Sequence, residues 1–169
     1  MLASYRDGVK EKTGAANRTL HVAKGTTKSI NIKGLKKPVW TASPEGVVTV
    51  IKNKKISADE AGYTTLTASG NGTTYSIDVF VEELKLSDSA NLLAADKGAN
   101  KYKLELSAGS EDDIILDESV TQEVIFKSNK ADIAFIDEEG VIHARKAGSC
   151  KITGKIAGKT ITIKVNVSE

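Results

Sequence analysis

With 169 residues and 17.9 kDa the chain has room for one ordinary domain or two small ones, and 40% hydrophobic residues suffice for a core. Its 24 basic and 22 acidic side chains leave a net charge of +2, which gives no overall electrostatic reason to expect a nucleic-acid partner. A single cysteine, Cys150, excludes intrachain disulfides and multi-thiolate zinc sites, and two histidines, His21 and His143, leave little for acid–base chemistry, so the composition weighs against an enzyme.

Met1 to Lys12 lacks the apolar core of a signal peptide, and no apolar run reaches the roughly 18 residues of a membrane helix, so no membrane insertion is expected. Residues 1–18 read as a flexible leader, within which Ser4 to Lys12 forms at most a frayed helical turn. Beyond it the period is two. Strands are expected over Thr19 to Val22, Lys28 to Ile32, Val39 to Ala42, Val47 to Ile51, Lys55 to Ala58, Tyr63 to Ser69 and Thr73 to Val81. Pro44 to Gly46, Gly62 and Asn71-Gly72 punctuate them, the last pair suiting a two-residue hairpin.

Sliding the chain along itself by 86 residues lays Val39 to Val81 over Ile125 to Val167. The two stretches agree at Ile56/Ile142, Ala58/Ala144, Gly62/Gly148, Gly72/Gly158, Ile77/Ile163, Val79/Val165 and Val81/Val167, among others. Matches at turn glycines and alternating apolar positions are what two copies of one fold share. The chain reads as all-β: two tandem β-sandwiches of about seven strands each, the first over 19–82 and the second over 83–169, which the family resemblance below makes immunoglobulin-like. The connection Val81 to Leu86 contains no Gly, Pro or Ser, which suggests a stiff joint.

Gly25-Thr26-Thr27-Lys28, Trp40-Thr41-Ala42-Ser43, Ile56-Ser57-Ala58, Ala61-Gly62 and Leu66-Thr67-Ala68 in the first copy resemble the bacterial immunoglobulin-like domain of group 2. So do Phe126 to Asn129, Gly140 to Ala144, Ala147-Gly148 and Ile161 to Val167 in the second. Phe126 stands where that family usually has Trp, and about twelve extra residues, Ser107 to Ser119, are expected between the second and third strands of this copy. The resemblance implies a repeated module of adhesins, surface-layer and cell-wall proteins, or an add-on domain of phage virions. It implies a secreted or cell-surface location, and as partners the neighbouring domains of a larger surface protein. The leading expectation is a non-enzymatic, monomeric spacer or stalk serving adhesion. A glycan- or host-protein-binding module and a phage virion decoration are the alternatives.

No catalytic, cofactor-binding or metal-ligating residue is assigned. Hydrolase elbows, Walker loops and paired thiolates are absent, and carboxylates alone are the one catalytic route left open. Cys150 shares strand parity with Ile152 and is expected to point inward. His143 reads as a lone surface histidine. Lys101, Lys103, Lys151, Lys155 and Lys164, at outward positions, are expected to discourage edge-to-edge pairing. Charge is uneven: residues 1–82 carry 12 basic and 7 acidic side chains, residues 83–169 carry 12 and 15. Lys33, Lys36, Lys37, Lys52 and Lys54 are expected at one tip of the first copy, for which solvation and contact with an anionic polymer or glycan are the two readings. Glu111, Asp112, Asp113, Asp117, Glu118, Asp137, Glu138 and Glu139 are expected at one end of the second. There they would face Glu82, Glu83, Asp59 and Glu60 at the joint, with solvated loops or a bridging Ca²⁺ as the two readings.

Overall fold

The structure, a computed structural model, describes residues 18–87, 92–94 and 100–169. The leader up to residue 17, with its Ser4 to Lys12 turn, lies outside the described residues. The chain divides into two compact units, Met1–Glu83 and Leu84–Glu169, each with its own apolar core, and no described residue is helical.

The first unit contains β1 (Arg18–Ala23), β2 (Thr27–Ser29), β3 (Val39–Ser43), β4 (Val48–Ile51), β5 (Lys55–Ala58), β6 (Gly62–Gly70) and β7 (Thr73–Glu82). One sheet has the order β1-β7-β6-β3, the other β2-β5-β4. Alternation decides which side chains lie between them. Leu66, Ala68, Tyr75, Ile77, Val79 and Val81 from the first sheet meet Val48, Ile56 and Ala58 from the second and Ile30 just beyond β2, all buried. Each large apolar side chain withdrawn from water contributes about 1.5–3 kcal/mol, and a one-residue slip would turn the whole row outward. Asn71 and Gly72, with φ of 52° and 71°, close the β6–β7 hairpin in the left-handed pair that a type I′ turn requires. The expected second strand is shorter than Lys28 to Ile32: β2 ends at Ser29, although Ile30 still donates its N–H to Lys54 O and both Ile30 and Ile32 are buried.

The second unit contains β8 (Leu86–Ser87), β9 (Leu92–Ala94), β10 (Lys101–Ser107), β11 (Glu111–Asp113), β12 (Ile115–Leu116), β13 (Lys127–Ser128), β14 (Ala134–Ile136), β15 (Val141–Ala144), β16 (Gly148–Ile156) and β17 (Lys159–Ser168). Its sheets run β13-β16-β17-β10-β9 and β11-β15-β14, with β12 and β8 as a separate pair. The sequence offset of 86 holds residue for residue across β5/β15, β6/β16 and β7/β17.

Ser107 to Ser119 is not an insertion. Lys101–Ser107 runs parallel to β17, with Leu104 opposite Val165, as β1 runs parallel to β7, with Leu20 opposite Val79; it is therefore the counterpart of the first strand and not of the second. Glu111 pairs with His143 as Thr27 pairs with Ser57, an offset of 84 that becomes 86 from β4/β14 onward, so the net insertion is two residues. The additional strands β8 and β9 instead precede β10. The third strand also differs. β3 pairs with β6 over five residues, from Val39↔Ser69 to Ser43↔Thr65, whereas β13 pairs only Lys127↔Thr153 and Ser128↔Ile152. Phe126, the counterpart of Trp40, presses on Gly154, where an added Cβ would lie 2.7 Å from the ring; Trp40 faces Ala68 at the same place in the first unit.

Candidate functional site

In the first unit, Lys37, Lys52 and Lys54 line a cleft of about 290 Å³ with Asn31 and Trp40, and Lys33 and Lys36 are exposed on the adjoining loop. Lys37, Lys52 and Asn53 have left-handed φ of 48°, 47° and 56°. The Nε1 of Trp40 and, in the core of the same unit, the Tyr75 hydroxyl are buried with no hydrogen-bond partner among the described residues, and burial pushes the Tyr75 hydroxyl pKa up. At the other end of the unit His21 Nδ1 lies 2.7 Å from the fully buried Glu82 and its ring stacks on Phe80. Lys24 bridges Glu60 and Glu83, whose carboxylates raise its pKa.

The eight carboxylates expected to crowd one end of the second unit do not act together. Asp112 is buried on the inward side of β11, Asp117 accepts the N–H and Oγ of Ser119, and Glu111 and Asp137 are engaged by His143. Asp137, Glu138 and Glu139, on the β14–β15 turn, line a cleft of about 700 Å³ with Glu123 over a floor that includes Phe126, Phe135 and Ile136. Among the described residues no three His, Cys, Asp or Glu side chains are grouped to hold a metal ion.

His143 is not a lone histidine. Its Nδ1 lies 2.8 Å from Glu111 Oε1 and its Nε2 2.6 Å from Asp137 Oδ2, while the ring stacks on Phe135 at 4.7 Å and the Arg145 guanidinium covers Phe135 at 4.3 Å. The hydrogen bond to Asp137 is the largest cause of a raised His143 pKa; desolvation, second in size, opposes it, and the bond and charge of Glu111 add to the rise. Asp137 is held below the usual carboxylate range by His143 first and by the Val141 N–H second, its Oδ1 accepting from Val141 and Glu139. Because the carboxylates sit on opposite ring nitrogens, the arrangement clamps an imidazolium and cannot chelate one cation. Nothing in the sequence placed Glu111 beside His143: the pair depends on the β11–β15 register, hidden while Ser107 to Ser119 read as an insertion.

Cys150 is buried, its Sγ 3.8 Å from Ala134 O, and burial raises its pKa, so the sulfur stays a thiol. Lys101, Lys103, Lys151, Lys155 and Lys164 are all exposed, but Lys164 belongs to β17, which is paired on both sides. It cannot protect an edge, and these lysines need another account.

No family model matches the chain, and no curated protein matches it. Solved structures do. The C-terminal fragment of intimin, in complex with the intimin-binding domain of the translocated intimin receptor, aligns over 90% of this chain and 62% of its own length, with a TM-score of 0.52 at 14% identity. The fold is immunoglobulin-like. The titin I-band fragment I67–I69 covers 91% of this chain at TM-score 0.40 and 13% identity, and spans 64% aligned of its own length. Domains 4 and 5 of the surface-layer protein SbsC cover 82% of this chain and 75% of theirs, at TM-score 0.31 and 15% identity. The chain spans 20% of the SbsC fragment holding domains 1–6.

Proposed function

We propose that the chain is a non-enzymatic, load-bearing spacer of a bacterial surface protein, two modules of the group 2 bacterial immunoglobulin-like type that hold an adhesive domain away from the envelope. The observation that carries this reading is the parallel pairing of the first long strand with the last in each unit: six residue pairs between β1 and β7, seven between β10 and β17. Tension applied through the ends of a unit pulls two parallel neighbours in opposite directions along their length. Their hydrogen bonds are then sheared together and not unzipped one at a time, so many must fail at once. In the second unit β8 and β9 precede this ladder in the chain, and their antiparallel pairs with β12 and β10, of two and three residues, are expected to open first.

Single-molecule pulling tests it. Two sawtooth events are expected, releasing chain of roughly 230 Å extended length from the first unit (Arg18 to Glu82) and roughly 300 Å from the second (Leu84 to Glu169) at about 3.5 Å per residue, with part of the second released early from β8 and β9. Featureless extension at low force would remove the load-bearing role.

A further inference from the structure

We propose that the outward face of the β13-β16-β17-β10-β9 sheet binds a linear polyanionic glycan across its strands. Register fixes the arrangement. Lys151, Lys164 and Lys103 stand opposite one another on β16, β17 and β10, giving three like charges in one row. The next row holds Lys127, Thr153, Thr162 and Lys101, and the row beyond it Lys155 and Thr160. The lysines are exposed and none is ion-paired with a described residue. Among the described residues one acid shares the face: Glu105, two positions from Lys103, which accepts a hydrogen bond from Asn166. A second, Glu123, stands at its rim. There, where β13 stops short of Lys155, a depression of about 530 Å³ is lined by Lys127, Lys155, Thr153 and Thr160 together with Ile125 and Glu123.

Six cations on one sheet face, in the half of the chain with the net negative charge, are not a consequence of composition. Like charges directly opposite across strands are destabilising, and the first unit avoids them: Thr19, Asp78 and Thr65 occupy the positions of Lys103, Lys164 and Lys151. Adjacent strands lie about 4.8 Å apart, so the row offers charges at an interval that suits acid groups repeated along a sugar chain. The threonine hydroxyls between them suit its hydroxyls. The lysine rows contain no aromatic side chain, which disfavours stacking on nucleobases and assigns the face to a charged glycan in preference to single-stranded nucleic acid. This reading does not depend on the spacer role, and pulling curves do not report on it.

Binding of the full chain to heparin, polygalacturonate, neutral dextran and single-stranded DNA at about 50 mM salt tests the proposal. Binding to a sulfated or carboxylated glycan and not to dextran is expected. The triple variant Lys103→Thr, Lys151→Thr, Lys164→Asp, which installs the residues the first unit carries, should lose about tenfold or more in affinity. Its melting temperature should not fall, because the substitutions relieve repulsion, and that separates lost binding from lost fold. Lys36→Thr with Lys54→Thr, beside and within the cationic cleft of the first unit, should leave affinity within about twofold. Silence towards both acidic glycans, DNA bound as tightly as they are, unchanged affinity in the triple variant, or loss through the first-unit pair would each overturn it.

Discussion

His143 makes the second unit pH-sensitive through one side chain with two acidic partners. Protonated, it donates from both ring nitrogens, and its folded pKa lies above the ordinary 6.5. Its contribution to stability is therefore complete below about pH 6.5 and is lost as pH rises through the raised value. Asp137 works in the opposite sense: its folded pKa lies below 3.8, so its contribution is present above that pH and disappears as pH falls through the depressed value. Together they place the most favourable window for this pair between about pH 4 and 6.5. His143→Gln should flatten the alkaline decline of the second unit and also shrink the acid one, because His143 is the largest cause of the low Asp137 pKa; what remains on the acid side is the part supplied by the Val141 and Glu139 N–H groups. Thermal melts of both proteins from about pH 3 to 9 measure this. An alkaline decline of equal steepness in the variant would assign it to other groups.

At the scale of elements, the two central hairpins are a matched pair with one flaw. Asn71-Gly72 and Ala157-Gly158 turn the chain in the same way, but Ala157 carries a φ of 50°, a region that Asn tolerates and a plain Cβ does not. Ala157→Asn should stabilise the second unit by about 0.5–1 kcal/mol, the gain limited because Ala157 also packs against the core. Urea unfolding reads it out, and a lower midpoint would mean that the methyl's packing outweighs the backbone strain. The hairpins were legible in the sequence because both their strands are long, alternate cleanly and repeat at a constant offset. Less was legible where pairing partners lie far apart in sequence. The parallel partnership of Lys101–Ser107 with β17 cannot be read from either strand alone, and β8, β9 and β12 are too short to show a period. The clamp on His143 and the lysine row were hidden for the same reason. Each needs a register, and alternation gives only which face a residue takes.

For the whole molecule, the decisive property is that the two apolar clusters have no residue in common. One gathers buried side chains from Val22 to Val81, the other from Leu86 to Val167. A cavity in one core therefore withdraws dispersion contacts from that core alone. Ile77→Ala and its counterpart Ile163→Ala each remove most of a fully buried side chain and should each cost about 2–5 kcal/mol. The loss should be confined. Hydrogen exchange followed by mass spectrometry should show faster exchange in β6 and β7 and unchanged protection in β16 and β17 for Ile77→Ala, and the reverse for Ile163→Ala. Protection lost in both halves from either substitution would mean one cooperative body, in which the first break under load releases the entire chain. Confinement means instead that a unit can open and refold while its neighbour keeps its strands paired, so a spacer built from such units lengthens in steps without losing its hold.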